Sequence, residues 1–150
     1  AYNSAISACE KSLQWESALA LLRSMPRPDV ISFSATMSAC EKVRHWALAL
    51  ALLFEMQLHT TQANVVSYSA AVSACEKGQQ WERALQLLTE MAAATIDPNA
   101  ITCNAAISAC EKGSQWERAL QLLRFMEGSR LQQGVIACSA AISACGKAQL

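Results

Sequence analysis

The chain has no surplus of either charge: 12 lysines and arginines stand against 12 aspartates and glutamates in 150 residues. A strongly basic domain, the usual footprint of a nucleic-acid binder, is therefore excluded, and any phosphate contact requires charges sorted by face. Long apolar runs are missing too. The richest stretch, "WALALALLFEM" at 46–56, is about half of the roughly 20 residues that span a bilayer, which argues against a membrane partner. Histidine is scarce, and neither His45, beside a tryptophan, nor His59, in a linker, sits in a motif with a nucleophile or carboxylate partner. No catalytic residue, metal-ligand set, cofactor motif or small-molecule substrate site emerges. Apolar residues are abundant instead, 53% against 16% charged, a ratio suited to units buried on both sides by neighbours.

Those units are visible as repetition. "SACEKGQQWERALQLLTEM" at 73–91 returns as "SACEKGSQWERALQLLRFM" at 108–126, with three differences. A catalytic motif works once, whereas recurrence at a fixed interval points to a unit stacking on copies of itself. Cys9, Cys40, Cys75, Cys110 and Cys145 each close a "SAC" triplet, separated by 35 residues except for one interval of 31 between Cys9 and Cys40. Trp15, Trp46, Trp81 and Trp116 keep the same phase, as do Met25, Met56, Met91 and Met126. The short interval falls where "PRPDV" replaces a longer linker such as "AAATIDPNA", so the deletion lies in a loop.

Residues 65–99 show what one unit contains. Tyr68, Ala71, Val72 and Cys75 recur at helical spacing, and Gly78 closes this first helix as a C-terminal glycine. Trp81, Ala84, Leu85, Leu88 and Met91, widened by Leu87, then form one stripe of a second helix. Pro98 ends the unit, because it cannot continue a helix and disfavours helical geometry at Asp97. Neither helix alone could bury its apolar side; stacking does so. On the first helix Val66, Ser69, Ser73 and Glu76 or Lys77 share a different stripe, the candidate lining of a groove.

The openings "AYNSAIS", "VISFSATMSAC", "VVSYSAAVSAC", "AITCNAAISAC" and "VIACSAAISAC", with the closings "RPD" at 27–29 and "DPN" at 97–99, resemble the pentatricopeptide repeat family. The 31-residue interval resembles that family's short repeat. Tetratricopeptide repeats are the nearest rival, but they place tryptophan in the first helix, and here every tryptophan opens the second. The resemblance implies an all-α, right-handed α-solenoid of helix-turn-helix repeats: 1–29, incomplete at its start and of the short type, then 30–64, 65–99, 100–134 and a partial unit 135–150. Because the chain starts and stops within units, it is expected to be a piece of a longer array.

The resemblance further implies binding of single-stranded RNA, one base per repeat, read by the fifth and last residues with an aliphatic second residue wedged against the base. The readers so assigned are Asn3 with Asp29, Ser34 with Asn64, Ser69 with Asn99, Asn104 with Gly134, and Ser139 in the partial unit. Ile31, Val66, Ile101 and Ile136 hold the wedge position. By the family's preferences the core reads 5′-U-A-A followed by a weakly specified pyrimidine. Lys11, Lys42, Lys77, Lys112 and Lys147 share one repeat position near the first helix's end. The first four are candidate phosphate contacts, although cations also suit a helix C-terminus on their own account. The family points to a chloroplast or mitochondrion, to RNA processing, stability, editing or translation, and to protein partners in an RNA-processing complex. A helical scaffold for protein partners is the alternative, and Ser or Asn at every fifth position favours RNA over it.

The five in-phase cysteines would lie roughly 8 to 10 Å apart on stacked helices, beyond the roughly 7 Å that a disulfide tolerates between Cα atoms. No pair has CxxC spacing. Buried, reduced thiols and a reducing compartment follow. Denatured without reductant, the chain should therefore titrate all 7 cysteines with a thiol reagent; a deficit of two would reveal a disulfide.

Overall fold

The computed structural model describes residues 2–58, 63–128 and 135–147, with side chains from 138 in the last segment. Within them the chain is helical throughout: α1 (Tyr2–Lys11), α2 (Trp15–Ser24), α3 (Val30–Lys42), α4 (Trp46–Leu58), α5 (Val65–Lys77), α6 (Trp81–Ala93), α7 (Ala100–Lys112), α8 (Trp116–Gly128) and α9 (Val135–Lys147). Odd helices carry the "SAC" segments, and even helices open on the tryptophans.

Each odd helix packs on the next odd helix, and each even helix packs on the odd helices before and after it. Among the described residues the even helices' backbones do not contact one another. The odd layer is thus the closely spaced one, and the array bends towards it, placing odd helices on the inner side. No helix among the described residues is long and apolar enough to cross a membrane.

The core runs along the stack. Tyr68, Ala71, Val72 and Cys75 of α5 are buried, and the same register recurs as Phe33, Met37 and Cys40 in α3 and as Cys103, Ala106, Ile107 and Cys110 in α7. Even helices meet them with Ala49, Leu52, Leu53 and Met56, or with Ala84, Leu87 and Met91. The described cysteines are all unbridged. Burial pushes the thiols of Cys40, Cys75, Cys103 and Cys110 up to about 11, so they behave as small apolar side chains rather than nucleophiles.

The turn inside each unit explains the glycines differently from the sequence. Gly78 and Gly113 do follow α5 and α7, but with φ of −85° and −88°. The left-handed residue comes one step later and is not glycine: Leu13, Arg44, Gln79 and Ser114 have φ near 60°. The next N–H donates back across the turn, Gln80 N to the Cys75 carbonyl and Gln115 N to that of Cys110, each at 2.8 Å, which is the Schellman closure. Ser12 and Val43 occupy the glycine position in the first two units, so the turn itself does not need it. The tryptophans do. A Cβ on Gly78 would stand 2.8 Å from Trp46 Cγ, and one on Gly113 would stand 2.7 Å from Trp81 Cγ. Arg83 and Arg118 lie over these same rings, their Cζ atoms 5.1 and 5.5 Å from the centroids. Trp15 has no such glycine and packs edge to face on His45 instead.

Gly78→Ala should therefore destabilise the array by about 1–3 kcal/mol through overpacking, whereas Gln79→Gly should be neutral or stabilising by up to about 1 kcal/mol by relieving the left-handed residue. Urea midpoints decide between the two accounts: a tolerated Gly78→Ala would sink the packing explanation.

Candidate nucleic-acid interface

The inner side of the array is built at the N-termini of the odd helices, where a helix leaves backbone N–H groups without intrahelical acceptors. The last residue of each of the first three units meets that need for the helix that follows. Asp29, Asn64 and Asn99 are the N-caps of α3, α5 and α7, all with extended backbone. Their side-chain oxygens accept from the backbone N–H three residues on: Ser32 at 2.8 Å, Ser67 at 3.0 Å and Thr102 at 2.9 Å. Each such cap stabilises by roughly 1 kcal/mol.

The fifth residue of the preceding odd helix reaches the same place. Asn3 Nδ2 donates to Asp29 Oδ2 at 3.5 Å. Ser34 Oγ lies 3.1 Å from Ser67 Oγ, which donates to Asn64 Oδ1 at 3.1 Å. Ser69 Oγ lies 2.7 Å from Thr102 Oγ1, which donates to Asn99 Oδ1 at 2.9 Å. Three of the pairs assigned from the sequence are thus brought together, two of them through a hydroxyl of the next unit. Ser69 is nearly covered by that contact, at 9% exposure. Asn104 is half-buried, and Gly134 lies outside the described residues. The carbonyl oxygens of Asn3 and Asn104 are buried and accept no hydrogen bond among the described residues. Ser139 is exposed on α9.

Beside these pairs Ile31, Val66 and Ile101 stand exposed at 61%, 56% and 64%. Aliphatic side chains so open to water at the same register of three successive helices form a periodic row of apolar ledges. The side chain of Ile136 lies outside the described residues.

The lysines do not form a bare cationic track. Lys42 pairs with Glu10, Lys77 with Glu41, Lys112 with Glu76 and Lys147 with Glu111, at 2.7 to 2.9 Å. Each rung joins a lysine to the glutamate of the preceding odd helix rather than to its sequence neighbour. Lys11 has no ionic partner among the described residues. Hydrogen bonds from Lys147 and Ser143 hold the Glu111 carboxyl below its usual range, and Arg23 pairs with Glu55 across α2 and α4. No group of three or more His, Cys, Asp or Glu among the described residues could hold a metal ion.

Sequence reasoning missed Ser32, Ser67 and Thr102, all fully buried. The signal was present: Asp or Asn followed three residues later by Ser or Thr is a helix-start pattern in which both side chains can bond at the cap.

Stacked two-helix units, with α3, α5 and α7 each capped by the last residue of the unit before, define a helical-repeat solenoid. The sequence matches the pentatricopeptide repeat domain over residues 51–113 and 86–148 and the PPR repeat over 1–29; the chain belongs to the pentatricopeptide repeat family. Among solved structures it is similar to the maize pentatricopeptide repeat protein PPR10, with 21% identity and a TM-score of 0.81 over 99% of this chain and 22% of that one. The PPR domain of Arabidopsis thaliana protein-only RNase P 1, in complex with tRNA, superimposes with a TM-score of 0.84 at 13% identity, over 97% of this chain and 79% of that one. PPR10 in complex with an 18-nt psaJ RNA element gives 23% identity and a TM-score of 0.81, over 97% of this chain and 22% of that one. No curated protein matches at the level of sequence. The chain thus spans about a fifth of the maize protein it resembles.

At Asp29 the N–H of Ser32 is the largest influence and, against partial burial, holds the carboxyl below its ordinary value of 3.8. Its ionised form therefore stabilises the fold above that value, and the contribution is lost as pH falls through the lower, folded value. Asp29→Ala should cost about 1 kcal/mol at neutral pH. Asp29→Asn should keep the cap, as Asn64 and Asn99 do, while removing this part of the acid dependence, which thermal unfolding between pH 2 and 7 would reveal.

Proposed function

We propose that the chain binds single-stranded RNA along its inner layer, one base per two-helix unit, with units 1–29, 30–64, 65–99 and 100–134 acting in sequence. One observation carries this reading: at successive odd helices a fifth residue, the exposed aliphatic second residue of the same helix and the last residue of the same unit, which caps the next odd helix, recur together on one side of the array. The aliphatic ledge suits stacking, which any base can use, and the polar pair suits a base edge. The RNA present with PPR10 and with the PPR domain of protein-only RNase P 1 supports the same reading. The bases proposed are uridine at Asn3 and Asp29, adenosine at Ser34 and Asn64 and at Ser69 and Asn99, and a weakly held pyrimidine at Asn104 and Gly134. The chain reads RNA and does no chemistry on it. The proposed setting is RNA processing, stability, editing or translation in a chloroplast or mitochondrion.

Because Lys42, Lys77 and Lys112 are matched by glutamates, phosphate attraction is modest. Stacking of roughly 1 to 3 kcal/mol per base over four bases is comparable with the roughly 4 to 15 kcal/mol cost of association, so this stretch alone binds weakly. A second reading, a scaffold for proteins, draws on the opposite layer. There a groove of about 620 Å³ between α4 and α6, lined by Leu50, Leu53, Phe54, Tyr68 and Leu87, opens outward. The two readings use different surfaces.

Fluorescence anisotropy at low salt with labelled RNAs carrying U-A-A-C or U-A-U-C tests the function. The native chain should prefer adenosine at the third base, and the Ser69→Asn, Asn99→Asp double variant should prefer uridine there. Indifference of both proteins to that base would overturn the assignment of readers.

A further inference from the structure

Neither Ser67 nor Thr102 faces the groove, yet each lies between the two side chains proposed to read a base. We infer that these hydroxyls are positioning residues that fix which reader atoms donate and which accept, so that the pair discriminates adenosine from guanosine; the inference rests on the RNA-binding reading.

The direction of every hydrogen bond in the cluster follows by elimination. The backbone N–H of Thr102 can only donate, so the Asn99 atom facing it, at 2.9 Å, is the carbonyl oxygen. This orients the whole amide and leaves Nδ2, with its two protons, free of any hydrogen bond among the described residues. Thr102 Oγ1 lies 2.9 Å from that same carbonyl oxygen, which has no proton to give, so the threonine proton goes there. With its proton committed, Thr102 Oγ1 must accept across the 2.7 Å contact with Ser69 Oγ. The Ser69 proton is therefore turned inward, and the serine shows only lone pairs to the groove. The same chain runs from Ser34 through Ser67 to Asn64, at 3.1 Å and 3.1 Å, with the Ser67 N–H again on the carbonyl oxygen at 3.0 Å.

The outcome is a reader pair of set polarity: an amide that donates and a hydroxyl that accepts. Adenine offers the complement on its Watson–Crick edge, an acceptor at N1 beside a donor at N6. Guanine presents the reverse, a donor at N1 beside an acceptor at O6, and meets like against like. An unrestrained serine could rotate to donate to O6, so the discrimination depends on the third residue of the following unit as well as on the readers. Where that residue differs in role, the polarity is not set this way. Ser32 accepts from Asp29 N and donates to the Asp29 carbonyl, both at 2.8 Å, leaving Asn3 bonded to Asp29 directly. After Asn104 the corresponding position is Ala137, which has no hydroxyl.

Adenosine and guanosine have the same ring size, so comparing them isolates polarity from stacking. With RNAs carrying A or G at the third base, Thr102→Val should lower the A-over-G preference about fivefold and leave the preference at the second base unchanged. Thr102→Ser should retain it. Ser67→Ala should do the converse, relaxing the second base alone. Thermal unfolding of each variant separates this from a folding defect, which would weaken both positions together. If the native chain prefers adenosine and Thr102→Val keeps the full ratio, the polarity lock is wrong while the RNA-binding reading stands. If the native chain has no adenosine preference at either base, the base assignment itself fails and the lock with it.

Discussion

A side-chain oxygen at the end of each of three units, that of Asp29, Asn64 or Asn99, accepting the N–H at the start of the next odd helix, is the contact on which the rest of the inner side depends. It ends one unit and begins the next, and it stops the linker from adopting many orientations relative to the helix. At Asp29 the other carboxylate oxygen accepts from Asn3, whereas at Asn64 and Asn99 the capping oxygen is joined to the fifth residue of the helix before through Ser67 or Thr102. A local requirement of helix physics thus places a polar pair at three junctions of the stack, those before α3, α5 and α7.

The outer side is organised by the tryptophans. Trp46 and Trp81 each lie between a glycine of the next odd helix and an arginine of the next even helix, so three helices meet on one ring. Even helices, whose backbones do not touch among the described residues, are linked through such rings and through pairs such as Arg23 with Glu55. The ionic rungs between odd helices add little stability singly, since exposed pairs are worth about 0–1 kcal/mol. Their larger consequence is electrostatic: they neutralise Lys42, Lys77, Lys112 and Lys147, so this lysine row is not a bare cationic track open to any polyanion.

Most of the architecture was legible in the chain. Periodic cysteines, tryptophans and methionines marked the units, and the stripe of Tyr68, Ala71, Val72 and Cys75 marked the buried side of a first helix, because helical spacing alone decides which residues share a side. The pairs proposed as readers came from resemblance to the family, and the side chains of three of these pairs are brought together, two of them through a hydroxyl. Less legible was the role of Ser67 and Thr102. Their cap pattern is local and readable, but their contact with Ser34 and Ser69 joins residues 33 positions apart and depends on how far one odd helix is shifted along the next.

The same distinction separates what the sequence by itself determined from what the tertiary structure decided. Helix starts, helix ends, the repeat period and the apolar stripes are settled within a few residues of chain, by capping, by proline and by the 3.6-residue turn. Which lysine meets which glutamate, why Gly78 must lack a side chain and where the Ser69 proton points are settled between units. Each depends on the spacing and register of stacked helices, set by the packing of Phe33, Tyr68, Met37 and Val72; only side chains already held by that packing come close enough to choose their partners.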